Sequence, residues 1–496
     1  MTLAVTLVLA GLLLSQIAVS PAVEIPPTPA DGASGPAWIE TQPGNLPIVL
    51  SAPHGGSLEP QGIPDRQQAV LLQDQHSLEF TQDLAQALQD LTGRRPFLVL
   101  NNLSRSKLDP NRSLGLGAQG DPAAAAAWQA YHADIESAEA SIVAQCGWGL
   151  YFDIHSNGLA GTTLQFGYGL DQAALALDDS ELNDPKWPSR TNLRGLATWS
   201  RLDLPDLVRG PDSLGGLMQA HYYRAEPGPS HPVPVGQYFD GGYSVATHGS
   251  QHGGAVDAIQ IELPYSLLTD AFRPRLARNL AASIVAFMDW AYGFDLAGSG
   301  PPCSGFADVR IDEAAGPAIA AVQATGGLPA CGSLPRRLCP RSTVTRAQAA
   351  QSVWRILQSG GVRRINGTAP LSDVAAEGEG AAIQTLWGAG LLDVCGAQPL
   401  RFCPSDPETR ASASELALKL MRGPAYLPPP PSGRFVDAPA GRWTSWWTDA
   451  AASAGLLLPC HGVGSPWICP QAAISRADFA VLLAGALDLV SPYPPP

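Results

Sequence analysis

Four short stretches carry residues able to do chemistry, and each lies where an apolar run is ending. His54 follows "PIVLSAP" and precedes two glycines; Arg105, Asn111 and Arg112 lie in "SRSKLDPNR". Asp153 and His155 lie in "YFDIHSNG", and Glu262 lies in "IQIELP". A histidine at such a point suits a metal ligand or a catalytic group, because imidazole binds zinc well and titrates near neutrality. A carboxylate beside it suits general base work. Taken singly, His54 is also what an ordinary loop beside a turn contains. Eight of the nine histidines precede residue 253, which concentrates this chemistry in the front of the chain.

These groups need a scaffold that brings them together. From residue 45 to 297 strand-like and helix-like stretches alternate, which predicts an α/β sandwich. "LPIVLSA" and "RPFLVLNNL" read as strands, and "HSLEFTQDLAQALQDL" between them as an amphipathic helix with Phe80, Leu84, Leu88 and Leu91 inward. A long helix over "PAAAAAWQAYHADIESAEASIVAQ" precedes the strand "GLYFDIHSNG"; "AVDAIQIELPY" is a late strand before the helix "RPRLARNLAASIVAFMDWAYG". Ligand sites of open α/β sheets lie at the carboxyl ends of the strands, so the four polar stretches are expected on one edge.

"PHGG...IPDR", "RSKLDPNRS", "DIHSNG", "GGYSVATHG" and "IQIELP", in that order, resemble the N-formylglutamate amidohydrolase family across most of residues 45–290. The resemblance implies a three-layer sandwich of the zinc-carboxypeptidase type, one catalytic Zn2+, and hydrolysis of a C–N amide bond. His54 and His155 become the implied imidazole ligands, with the glycines after His54 letting the backbone pass close to metal and substrate. The acidic ligand is Asp74, in "QDQHSLEF", or Glu59, which follows His54 by five residues. Asp153 shares a strand face with His155 and is expected behind it. Asn111 and Arg112 are expected to grip a substrate carboxylate, with an Arg112–Asp109 ion pair as the rival role. Arg105 would support that grip or polarise the scissile carbonyl. Glu262 is placed as the general base, and His248 would orient substrate or stabilise the oxyanion. His76, His132, His221, His231, His252 and His461 read as ordinary.

The last third repeats with a period of about 64 residues. "GFADV", "PLSDV" and "GRFVDA" open the units, headed by Asp308, Asp373 and Asp437; "LCPRSTVTRAQAA", "FCPSDPETRASAS" and "ICPQAAISRADFA" close them. The Thr/Ser-Arg-Ala step reads as a helix start with the hydroxyl as N-cap. Such units cannot bury an apolar face alone, so three are expected to pack together. They resemble S-layer homology domains, here at 306–360, 371–423 and 435–490, after a linker at 298–305. The resemblance implies an all-α three-unit assembly that binds a secondary cell-wall polymer. Arg346, Arg410 and Arg476 would then contact an anionic sugar, since a guanidinium fork suits a carboxylate.

The chain has 496 residues, only 15% of them charged, with a net charge of -14. That balance excludes a dominant nucleic-acid footprint. The apolar "MTLAVTLVLAGLLLSQIAVSPA" reads as a signal peptide over 1–22, followed by a linker over 23–44, although no Lys or Arg precedes the apolar run. Six of the eight cysteines form close pairs, Cys331/Cys339, Cys395/Cys403 and Cys460/Cys469, which read as disulfides in an exported chain. The pairing of Cys146 and Cys303 stays open. The combined expectation is an exported protein attached to cell wall or S-layer, a zinc-dependent amidohydrolase taking a small carboxylate-bearing amide. Two alternatives stand beside it: a zinc carboxypeptidase or amidase acting on wall or scavenged peptides, and an inactive surface-binding or structural protein.

Overall fold

A computed structural model describes residues 37–359 and 371–490. The expected signal peptide and residues 23–36 of the linker lie outside the described residues, as does residue 360 at the end of the first repeat. Among the described residues no helix is long and apolar enough to cross a membrane. They divide into two compact units, 37–316 with 330–338, and 317–329 with 339–490.

The first unit is built on a seven-stranded sheet of β1 (Ile39–Gln42), β2 (Ile48–Ala52), β3 (Phe97–Asn101), β4 (Gly149–Asn157), β5 (Leu164–Gly167), β6 (Ala225–Glu226) and β7 (Val256–Pro264), in the order β1-β3-β2-β4-β7-β5-β6. β3, β2, β4 and β7 run parallel; β1 and β5 pair antiparallel at their flanks. β2 leads through α1 (Ser77–Thr92) to β3 on one side, and β3 leads through α2 (Pro122–Cys146) to β4 on the other. The strand order therefore reverses between β2 and β4, which opens a crevice at their carboxyl ends.

Both faces of the sheet are covered, and the strands read as near-continuous apolar runs for that reason. Ile48, Leu50, Phe152 and Ile154 pack with Phe80, Leu84 and Leu88 of α1 and with Leu280, Ile284 and Phe287 of α4 (Arg273–Tyr292). Val49, Val99 and Tyr151 pack with Tyr131, Ile135 and Ile142 of α2, and with Val245 of α3 (Tyr243–His248). This is a helix–sheet–helix sandwich. Leu91, expected inward, is exposed. The helix is closing there, with Thr92 bonded to the Leu88 carbonyl and Gly93 at φ +69° accepting the left-handed turn. α2 starts on Asp121, whose carboxylate accepts from Ala124 N, with Pro122 in the first turn.

The division between units differs from the linker expected at 298–305. Residues 306–316 and 330–338 belong to the α/β unit because they serve helix ends whose carbonyls lack partners. Arg310 donates to the carbonyls of Trp290 and Asp289 at the end of α4, and Arg336 to that of Ala144 at the end of α2. A Cys146–Cys303 disulfide joins the same region.

The second unit holds α5 (Gly316–Ala324, from its second residue), α6 (Arg346–Ser359), α7 (Gly378–Gly388), α8 (Arg410–Arg422), α9 (Trp443–Ser453) and α10 (Arg476–Ala486), with one two-residue ladder, Gly396–Ala397 against Leu400–Arg401. The hydroxyls of Thr345, Thr409 and Ser475 accept from the backbone N–H three residues on, as N-caps should. The heads of the repeats also have a local role. Asp373 accepts from the N–H groups of Phe402 and Cys403, and Asp437 from those of Ile468 and Cys469, where Cys403 and Cys469 sit at φ +54° and +51°. The carboxylate holds a turn that a residue with a Cβ adopts reluctantly. Cys395–Cys403 and Cys460–Cys469 are disulfides, and among the described residues no cysteine is free.

The three units close on one another in a ring. Arg346 N bonds the Asp406 carbonyl, Arg410 N that of Ala472, and Arg476 N that of Ser342. The guanidinium groups follow the same course: Arg346 donates to the carbonyls of Phe402 and Asp393, Arg410 to those of Ile468 and Leu458, and Arg476 to that of Pro329. Arg410 and Arg476 are buried. The arginines expected to receive a polymer anion are thus engaged in the joints, because each helix start turns its unpaired N–H groups, and the arginine that carries the first of them, onto carbonyls of the neighbouring unit.

Candidate metal centre

β2 ends at Ala52, and Pro53 carries the chain out of the ladder. Asn101, at the tip of β3, donates to the Pro53 carbonyl at 2.7 Å and so sets where His54 begins. The glycines that follow are required by packing. A Cβ on Gly55 would meet Leu78 atoms of α1 at 2.6 Å, and one on Gly56 would meet the Asn102 carbonyl carbon at 2.2 Å. Without a Cβ the chain after His54 can lie close against the start of α1 and the backbone that follows β3.

His54 from the end of β2, His155 from β4 and Asp74 from the turn before α1 converge in a buried cluster. His54 Nδ1 stands 3.2 Å from His155 Nδ1 and 3.3 Å from Asp74 Oδ2; His155 Nδ1 stands 2.8 Å from the same oxygen. The opposite ring nitrogens each meet a carboxylate, His54 Nε2 at Asp109 Oδ1 (2.7 Å) and His155 Nε2 at Asp153 Oδ2 (2.9 Å). In each ring it is Nδ1 that faces Asp74 Oδ2, where a cation would take the place of an Nδ1 proton. Two imidazole nitrogens and a carboxylate oxygen facing one another in a dry place are a donor set for a cation. The edge of a tetrahedron around zinc is about 3.3 Å for metal–nitrogen bonds of about 2.0–2.1 Å. The donor set and the carboxylate behind each imidazole fit zinc. Glu59 is exposed and outside the cluster, so Asp74 is the acid the fold brings to the histidines.

Around this centre the charges are shared. Arg105 donates to Asp74 Oδ1 and to Asp109 Oδ2, both at 3.1 Å, and buried Arg66 lies 3.6 Å from Asp109. Burial by itself raises the Asp74 carboxyl, but the His54 charge and the hydrogen bonds from both histidines hold it far below the usual range. Asp109 is treated the same way by His54, Arg105 and Arg66. Burial works against a charged His155, yet Asp153 and then Asp74 raise it well above its ordinary value. Ser51 fixes the other side of Asp153 at 2.7 Å.

Glu262 stands opposite His155 in the β4–β7 register and is buried. Gln260 Nε2 donates to Oε1 at 3.0 Å and Asn157 Nδ2 to Oε2 at 3.2 Å. Burial raises its carboxyl above the ordinary value although the His155 charge opposes this. Tyr265, next after this strand, is half-buried, donates to the Gln73 carbonyl, and is raised by burial and by Asp74.

Three expected roles change. Asn111 does not offer its amide outward: Oδ1 accepts from Ser244 N at 2.7 Å and Nδ2 lies 3.1 Å from His155 Nε2. Arg105 is committed to Asp74, Asp109 and the Leu72 carbonyl, so it braces the acids rather than a substrate carbonyl. His248 is buried against His132, with Nε2 2.7 Å from His132 Nδ1 and Nδ1 3.7 Å from Glu139 Oε2; His132 in turn bonds the Pro110 carbonyl. The helix α3 faces α2 at that point, which turns the ring away from the crevice. Arg112 keeps its freedom. It is half-buried, its carbonyl is held by Trp128 Nε1, and its guanidinium has no ion pair among the described residues, Asp109 being taken by His54, Arg105 and Arg66.

Arg66, Asn101, Asn157, Gln260 and Tyr265 escaped the reading of the sequence. Asn157 and Gln260 sit two residues from His155 and Glu262 on the same strand faces, a spacing that points to them. Arg66 closes the motif "IPDR", which pointed to it without giving it a role, and nothing local distinguishes Asn101.

No family model matches the chain, and no curated protein does. Among solved structures, an N-formylglutamate amidohydrolase from Ralstonia eutropha is similar over 51% of this chain and 98% of its own, at 14% identity and a TM-score of 0.32. A gene product from Agrobacterium tumefaciens is similar over 51% of this chain and 93% of its own, at 16% identity and a TM-score of 0.29.

Proposed function

We propose that the α/β unit is a zinc-dependent hydrolase of a C–N amide bond, acting on a small substrate that carries a free carboxylate, such as an N-acyl amino acid. The observation that carries this reading is the convergence of His54 Nδ1, His155 Nδ1 and Asp74 Oδ2 within 2.8–3.3 Å, at the crevice where the strand order reverses. A zinc ion held by these three residues supplies Lewis acidity towards a carbonyl and acidifies water.

The chain's own residues supply the rest. Asp109 and Asp153 orient the two rings and fix which nitrogen faces inward. Arg105 holds Asp74 and Asp109 in place. Glu262, its oxygens set by Gln260 and Asn157, takes the proton of the attacking water and returns it to the leaving nitrogen. A carboxyl raised by burial suits both halves of that transfer. Arg112 binds the substrate carboxylate with its fork.

We further assign the protein to the outside of the cell, with the triplicate unit attaching it to a secondary cell-wall polymer. The apolar segment at 1–22 and the disulfides support export; the repeat itself supports attachment. The test is elemental analysis of purified protein with assays on N-acyl amino acids and on wall peptides. One zinc per chain and release of the acyl acid are expected; cleaved stem peptides would move the substrate to the wall. Absence of metal together with absence of hydrolysis overturns the reading. Attachment is tested by sedimenting the full chain with isolated walls before and after the polymer is stripped.

A further inference from the structure

Four apolar side chains stand in solvent beside the metal centre. Val70, Leu71 and Leu72 are 46, 40 and 79% exposed and lead without a break into Gln73 and Asp74; Leu116, soon after Arg112, is 43% exposed. One buried side chain gathers these two segments. Arg66 donates from Nε to the Leu116 carbonyl (3.3 Å) and from Nη1 to those of Val70 (3.3 Å) and Arg105 (2.8 Å), and Nη2 reaches that of Gln68 (3.4 Å). Its Nη1 also lies 3.6 Å from Asp109, which bonds His54. Arg105 Nη1 divides itself between the Leu72 carbonyl (3.3 Å) and Asp74 Oδ1 (3.1 Å), and Tyr265 holds the Gln73 carbonyl.

The segment's polar backbone is thus turned onto two guanidinium groups that also hold the site. Its apolar side chains are left to the solvent. A loop with no task in binding carries polar and turn-forming residues, and contiguous exposed apolar side chains mark a contact surface. Here the contact lies beside the site: the Leu72 carbonyl and Asp74 share one arginine nitrogen. We infer that Val70, Leu71, Leu72 and Leu116 form a rim that receives an apolar group of the substrate next to the scissile amide. The preferred substrate is then a carboxylate-bearing amide with an aliphatic or aromatic acyl group or side chain, not one of formyl size. The inference rests on the hydrolase reading above.

The experiment uses the full chain purified with zinc and a panel of N-formyl, N-acetyl, N-octanoyl and N-benzoyl derivatives of glutamate, leucine and phenylalanine. The wild type is expected to prefer the larger apolar substrates by about tenfold or more in kcat/KM. In the Leu71→Ser, Leu72→Ser double variant the ratio of kcat/KM for the apolar over the formyl substrate falls by about tenfold, with an unchanged melting temperature. Hydrolysis without apolar preference, or a ratio the variant leaves alone, overturns the rim and spares the hydrolase reading. No hydrolysis of any member overturns the rim, and the hydrolase reading falls with it where the protein also binds no zinc and cleaves no wall peptide. A variant that shifts sedimentation from dimer to monomer and leaves the ratio alone assigns the patch to self-association and overturns the rim.

Discussion

The Nδ1 atoms of His54 and His155 face each other across 3.2 Å, while their Nε2 atoms rest on Asp109 and Asp153 at 2.7 and 2.9 Å. The two rings come from different strands, and each is held by its own carboxylate. Asp74 Oδ2 completes the triangle.

Zinc binding is therefore expected to depend on Asp74 and not on Glu59. His155→Ala and Asp74→Ala should leave purified protein without stoichiometric zinc by elemental analysis, and Glu59→Gln should retain it. Asp153→Asn should weaken zinc affinity about 10–100-fold. Zinc at 100 times its Kd should stabilise the wild type by about 2.7 kcal/mol, and Asp74→Ala not at all. Zinc retained by Asp74→Ala and lost by Glu59→Gln would reverse the assignment.

Glu262→Gln keeps the size of the side chain, although its NH2 meets one of the two donors Gln260 and Asn157, and it cannot take a proton. Its kcat should fall about 10²–10⁴-fold with zinc content unchanged. A kcat within threefold of wild type would remove Glu262 from the chemistry.

Arg112→Ala should reduce kcat/KM for a carboxylate substrate about 10–100-fold, the worth of a hydrogen bond to a charged group at roughly 1.5–3 kcal/mol. The corresponding primary-amide substrate should lose little. Equal losses on both substrates would show that Arg112 serves structure.

Asp257 lies far along β7 from Glu262 and is fully buried, accepting from Ser250, Tyr292 and the N–H groups of Gly195 and Leu196. Burial pushes its carboxyl up to about 6 despite those bonds. A folded-state value above the unfolded one favours the folded protein at low pH. The contribution is fully present below about pH 4 and is lost as pH rises through about 6. Its size is about 3 kcal/mol. Denaturant unfolding of the wild type relative to Asp257→Asn should show that loss between pH 4 and 7; parallel curves would contradict it.

Arg410→Ala removes the donor for the carbonyls of Ile468 and Leu458 in a buried joint. It should cost about 2–4 kcal/mol in the repeat unit and lower its melting temperature. Hydrolysis should be untouched. An unchanged melting temperature with lost wall binding would return Arg410 to polymer recognition.

The strands were legible because β2, β4 and β7 are buried on both faces and so read as unbroken apolar runs, and His54, His155 and Glu262 stood out as polar residues at their ends. The repeats were legible because identical turns demand the same Asp, Cys and Arg three times. Which acid joins the histidines was not, since Asp74 reaches them through the turn before α1 and Glu59 points to solvent, a difference of loop path rather than of residue type. Nor were the final roles of Asn111, Arg105 and His248, each decided by a partner over 30 residues or only a few residues away that the packing happens to deliver. Period and composition determine which faces are buried, because burial is a property of each residue's own surface. Hydrogen-bond partners belong to pairs of residues, and only the tertiary structure brings those pairs together.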